Sequence, residues 1–199
     1  MIKVLLFDAD GVLLFHTDKI FSVRLSEYLD IPVGRINPFF EKVFGDCLVG
    51  LKDLREELAP YAKDWGWQGS IDELLTFWFE YEHNVDQPLI NYISALRDKG
   101  TKSYVATNNE KYRAEALFGH LNLDQTVFEK LYAAGNLTVL KPDLAFYQKI
   151  YDDLIGIKKN EVLLWDDSIQ NVEAARNYGF EAELYTTYQN FEVTMEQYV

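Results

Sequence analysis

Two rhythms of hydrophobic and polar positions alternate along the chain. One is a short apolar run closed by polar or turn residues: "KVLLFDA" near the start, "KSYVATNN" from Lys102, "EVLLWDD" from Glu161 and "EAELYTT" from Glu181, with a weaker "LYAAG" at Leu131. Runs of this length, rich in Val, Leu and aromatic residues, predict strands of a parallel sheet covered on both faces. The other rhythm sets apolar residues three and four apart. "QPLINYISALRDKG" aligns Leu89, Ile93 and Leu96, with Pro88 in the first turn and Gly100 as the stop. "KPDLAFYQKIYDDLIG" aligns Leu144, Tyr147, Ile150 and Leu154, and "DSIQNVEAARNYG" ends on Gly179. Strands and helices taking turns in this way predict right-handed crossovers and a doubly wound α/β sheet.

The alternation breaks between the first strand and Pro88. Four helical stretches fill that interval: "DKIFSVRLSEYLD", "NPFFEKVFGDCLVG", "LKDLREELAPYAKDWG" and "SIDELLTFWFEYEH". The interval is too long for a loop. It predicts a small helical domain over residues 16–87, inserted into a core made of residues 1–15 and 88–199. The aromatic stretch from Phe77 to His83 is expected to be core of that insert, on its helical spacing.

Candidate chemistry collects where the predicted strands end, the edge at which open α/β sheets bind ligands. The first strand ends in Asp8 and Asp10, the second in Thr107 and Asn108, "LYAAG" leads on to Lys141, and the fourth ends in Asp166 and Asp167. Residues two apart on an extended segment point the same way, so Asp8 and Asp10 face one place, and Gly11 permits a sharp turn after them. Converging carboxylates repel one another and need a counter-ion. All-oxygen ligation at a water-accessible rim suits Mg²⁺, and His16, His83 and His120 lack the spacing of a zinc site.

Charge narrows the partners. With 19 basic against 32 acidic residues the net charge is −13, which argues against nonspecific binding to nucleic acid or anionic membrane. An anionic substrate must then be captured by local cations or a metal. The single cysteine, Cys47, excludes an intrachain disulfide and is expected to be a small apolar filler. The chain opens without the pattern of a secretory signal and holds no apolar run of membrane-spanning length, so a cytoplasmic location is expected. Nothing in the pattern specifies an oligomeric state.

Four short motifs follow one another in order: "DADGV" at Asp8 to Val12, "YVATNN" with Thr107, "LKPD" with Lys141, and "LLWDDSIQN" with Asp166 and Asp167. In this register they resemble the motifs of the haloacid dehalogenase-like hydrolase superfamily, in its branch with a helical cap after the first motif. The resemblance covers essentially the whole chain and implies a Rossmann-like core and Mg²⁺-dependent phosphatase activity on a small phosphorylated metabolite, with a sugar phosphate as the family analogy. It implies Asp8 as nucleophile on phosphorus, and Asp10 as general acid and base whose backbone carbonyl also binds Mg²⁺. Thr107 and the backbone N–H of Asn108 would hold phosphoryl oxygens, and Lys141 would offset charge on Asp8 and the phosphate. Asp8, Asp10 and Asp167 would be the metal ligands, with Asp166 a second ligand or outer acid and Asn171 a contact through water.

Relatives that are dehalogenases lack the second acid of the first motif, which is Asp10 here. A sugar-phosphate mutase would need an acid–base residue in the cap, near where Ile20 stands. Non-catalytic relatives usually lose an aspartate of the first motif, and both are present. Phe15 departs from the family pattern, which often has an acid at that point, and suggests an apolar contact at the cap hinge. His16 is expected to be a surface or hinge histidine. Thr107 is also a candidate cap for the helix of "NNEKYRAEAL".

Overall fold

The computed structural model of the protein describes residues 1–15, 19–80, 84–120 and 127–198. In chain order the strands are β1 (Val4–Phe7), β2 (Leu14–Phe15), β3 (Asn84–Val85), β4 (Lys102–Thr107), β5 (Leu131–Ala133), β6 (Val162–Asp166) and β7 (Glu181–Leu184). The helices up to β3 are α1 (Phe21–Leu29), α2 (Asn37–Lys42), α3 (Phe44–Leu48), α4 (Leu54–Trp65) and α5 (Ile71–Phe79). After it come α6 (Gln87–Asp98), α7 (Lys111–His120), α8 (Ala134–Leu137), α9 (Leu144–Asp153), α10 (Ile169–Tyr178) and α11 (Tyr188–Met195).

Five strands form a parallel sheet in the order β5-β4-β1-β6-β7. The unbroken apolar runs are explained by burial on both faces. Leu5 and Phe7 of β1 point into one cluster with Ile93 of α6 and Phe191 of α11, while Val4 and Leu6 point into the other with Ile150 of α9 and Val172 of α10. Because all five strands run the same way, their carboxyl ends open on one rim. The sheet is doubly wound, as the alternation predicts.

Helices α1–α5 share an apolar cluster of their own, in which Phe21 stacks on Trp78 at a centroid distance of 4.5 Å. The predicted helix from Asn37 is broken at Val43 into α2 and α3. Cys47 is buried in this cluster, in the filler role expected of it. The chain on either side of helices α1–α5 pairs as a short antiparallel ribbon, Leu14 with Val85 and Phe15 with Asn84. Two-residue strands carry no readable period, so the sequence pattern does not announce them. Phe15 sits on that ribbon with 48% of its surface exposed. His16 and His83 lie outside the described residues, and so does the side chain of His120.

The segment that carries helices α1–α5 touches the core near the rim, at Gly50 and Asp53 among other places. Gly50, at φ +69°, has its Cα against the Gly135 carbonyl, where a Cβ would come within 2.3 Å of the oxygen. Asp53 caps α4 by accepting from the Arg55 and Glu56 N–H groups, and also accepts from Lys111 Nζ at 2.6 Å and Tyr112 Oη at 2.7 Å on α7. Burial opposes its charge, yet those two donors hold its carboxyl down at about 2. Helix α11 is a further element that the hydrophobic pattern hides: Phe191 and Met195 anchor it one turn apart, while Val193 faces solvent. No helix among the described residues is long and apolar enough to cross a membrane.

Candidate active site

A single buried lysine organises the rim. Lys141 Nζ stands 3.0 Å from Asp8 Oδ2 and 2.6 Å from Asp166 Oδ2, with none of its side chain exposed. Burial alone would lower its proton affinity, but the two carboxylates outweigh that and hold it above the ordinary lysine value. Its backbone is clamped from β4's end: Lys141 N donates to Asn108 Oδ1 at 2.8 Å and Asn108 Nδ2 donates to the Lys141 carbonyl at 2.9 Å. Asp166 Oδ1 accepts from Ser168 N and from Asn171 Nδ2, each at 2.9 Å. Both Asp166 oxygens are thus bonded to the protein, and the Asn171 amide goes to Asp166.

Asp10 is held from the other side. Its Oδ2 accepts from Asn109 Nδ2 at 3.0 Å, and its Oδ1 pairs with Arg113 Nη2 at 2.5 Å. The same Asn109 amide donates to Thr107 Oγ1 at 2.7 Å, so one side chain ties the ends of β1 and β4 together. Thr107 does not cap α7. That task falls to Glu110, whose carboxylate accepts from the backbone N–H groups of Tyr112 and Arg113. A carboxylate at the first turn also complements the helix dipole, which a hydroxyl does not. Arg113 and Asn109 are site residues that motif matching missed. Arg113 sits within "EKYRAEAL" with nothing to mark it off from a solvated arginine.

Asp8, Asp166 and Asp167 offer carboxylate oxygens that lie within 4.8 Å of one another. Gly11 makes room for this: at φ +80°, its Cβ would fall 2.1 Å from Asp167 Oδ2. Lys141 brings one positive charge to two buried carboxylates, with a third acid beside them. An all-oxygen donor set of that charge fits a hard divalent cation such as Mg²⁺.

Burial pushes the Asp8 carboxyl up to about 7; Lys141 opposes the shift, while Asp166 and Asp10 add to it. Between the ordinary value of 3.8 and about 7 the folded protein holds a proton there that the unfolded chain has lost. The metal-free protein therefore loses stability as pH rises through that window. A cation needs the carboxylate and must displace that proton at low pH. Calorimetric titration is expected to show Mg²⁺ affinity weaker by about tenfold at pH 6 than at pH 7.5. Equal affinity at both pH values would mean that Asp8 is not a ligand.

A five-stranded parallel sheet with acids, a lysine and a hydroxyl gathered at its carboxyl rim defines a Rossmann-like α/β core with an acidic site at the strand ends. A profile for the haloacid dehalogenase-like hydrolases matches residues 2–179, and the chain belongs to that family. An enzyme of this family from Bacteroides thetaiotaomicron, in complex with magnesium and inorganic phosphate, is 19% identical and superposes over 96% of this chain and 99% of its own with a TM-score of 0.80. The L-2-haloacid dehalogenase of Xanthobacter autotrophicus, with chloropropionic acid covalently bound, is also 19% identical, over 99% of this chain and 83% of its own, with a TM-score of 0.63. At such identities the likeness is one of fold. The drimenol cyclase drtB of Aspergillus calidoustus is 26% identical over 93% of this chain and 34% of its own length. The chain thus spans about a third of that relative.

Proposed function

We propose that the protein is a Mg²⁺-dependent phosphomonoester hydrolase that works through an aspartyl-phosphate at Asp8. The observation that carries this reading is the buried Lys141 ammonium bridging Asp8 and Asp166, with the Asp167 carboxylate alongside. Asp8, Asp167 and the Asp10 carbonyl would hold the cation, while Asp166 stays bonded to Lys141, Ser168 and Asn171. The bound cation would supply charge neutralisation between the phosphate and the carboxylates.

In the first step an Asp8 oxygen forms a bond to phosphorus while the ester oxygen leaves with a proton from Asp10. In the second, Asp10 takes a proton from water, the water oxygen bonds to phosphorus, and the Asp8–phosphorus bond breaks to release inorganic phosphate. Asn109 and Arg113 aim the Asp10 carboxyl for both transfers. Thr107 and the Asn108 N–H hold the phosphoryl oxygens, and Lys141 balances their charge. The insert of helices α1–α5 acts as a cap that excludes bulk water.

Carbon–halogen hydrolysis is the second reading, favoured by the fold likeness to the Xanthobacter dehalogenase. It needs neither a metal nor a second acid, whereas Asp10 is present here and held by two side chains. Phosphate release from a panel of phosphomonoesters separates the two. Release is expected with Mg²⁺ and lost in chelator. Halide release from 2-haloacids that ignores chelator would overturn the phosphatase reading.

A further inference from the structure

Against the rim, between the insert and the core, lies a cavity of about 460 Å³. On the core side it is lined by Asn108, Asn109, Glu110 and Arg113, and Asn109 and Arg113 also hold Asp10, so the cavity adjoins the acid beside Asp8. The lining from helices α1–α5 is mostly hydrocarbon: Phe21, Phe40, Phe44, Leu48, Trp78 and Phe79. Among the described residues, Ser22 and Asn37 are the polar side chains on the insert's side of the cavity. A polyhydroxylated leaving group entering such a space would lose its water and find few partners, at a cost for each unpaired hydroxyl. An apolar one would gain free energy in proportion to the area it buries.

The geometry points to a phosphomonoester whose leaving group is alkyl or aryl, seated against Phe40, Phe44 and Trp78 with its phosphate toward Asp8. This substrate class rests on the phosphatase reading, and it replaces the sugar phosphate that family analogy suggests. It also gives the aromatic run of α5 a second use: Trp78 and Phe79 pack the insert's own cluster and face the cavity as well.

The test compares n-octyl phosphate and phenyl phosphate with glucose 6-phosphate and glycerol 3-phosphate, all with Mg²⁺. Calorimetric binding of n-octylphosphonate and of 2,3-dihydroxypropylphosphonate, which cannot be turned over, accompanies it. Octyl phosphate is expected to exceed glucose 6-phosphate in kcat/KM by on the order of a hundredfold, and octylphosphonate to bind tighter than its dihydroxylated counterpart. Phe44→Ser, at a partly exposed site, should lower the ratio of kcat/KM for octyl phosphate to that for glycerol 3-phosphate by about tenfold, through the KM of octyl phosphate. Phe40→Ser repeats that test should the first variant fail to fold. Turnover of glucose 6-phosphate equal to or above that of octyl phosphate would overturn the substrate class and leave the phosphatase reading intact. Absence of turnover with octylphosphonate still bound in preference would overturn the phosphatase reading and leave the ligand class standing. Loss of both the turnover and the binding preference would overturn both.

Discussion

Asp8→Asn is expected to lower phosphate release by about 10⁴-fold or more while leaving the fold intact. The amide has the shape of the carboxylate but no charge with which to attack phosphorus. Its carbonyl can still accept either from the Ala9 N–H, which Asp8 Oδ1 takes at 2.7 Å, or from Lys141. Lys141 keeps Asp166 as a partner, so no buried cation is left unpaired. The effect on stability has the opposite sign to the effect on turnover. Burial has pushed Asp8 up to about 7, so above that pH folding carries the cost of a poorly solvated carboxylate. Without Mg²⁺ at pH 8, thermal unfolding of Asp8→Asn should occur at the wild-type temperature or above it. Phosphate release near the wild-type rate would remove Asp8 from the chemistry.

How far the sequence pattern reaches can be seen by comparing β1 with the ribbon of β2 and β3. "VLLF" is buried on both faces, and a run of that kind can be read without any tertiary information. The helices of the core follow similarly from their spacing and end signals, such as Pro88 in the first turn of α6 and Gly179 after α10; the caps Asp86 and Asp143 come from the structure. The ribbon is too short to have a period, and the two-anchor helix α11 has scarcely more. The same contrast runs through the site. Asp8, Thr107, Lys141 and Asp166 stand at strand ends or directly in motifs, where position along the chain specifies position on the rim. Asn109 and Arg113 act on Asp10 from about a hundred residues away, with separations of 99 and 103 positions. Pairing across that distance comes from the β1–β4 register and the first turn of α7, neither of which a local pattern contains. Asn108 is an intermediate case. The resemblance implies its backbone N–H for the phosphate, and the structure adds a use for its side chain, which brackets the Lys141 backbone.

The second large effect is expected at Lys141, where stability and catalysis draw on the same ammonium group. Lys141→Met keeps the length of the side chain and removes its charge, which leaves Asp8 and Asp166 facing each other in the interior. Breaking a buried ion pair from one side costs about 3–5 kcal/mol, because the remaining charge is neither solvated nor paired. Urea unfolding without Mg²⁺ should show a loss of that order. Phosphate release with Mg²⁺ should fall by about 10³-fold, since a preorganised positive charge beside the transferring phosphoryl group is gone. A second substitution separates the two roles. Asp166→Asn in the Lys141→Met background removes one of the stranded carboxylates while its amide can still meet Ser168 and Asn171. That double variant should regain part of the lost stability and none of the lost turnover, because the charge the phosphate needs is still missing. If turnover returned together with stability, Lys141 would be a structural pin for the rim and the phosphate would have to be balanced by Arg113 and the metal alone.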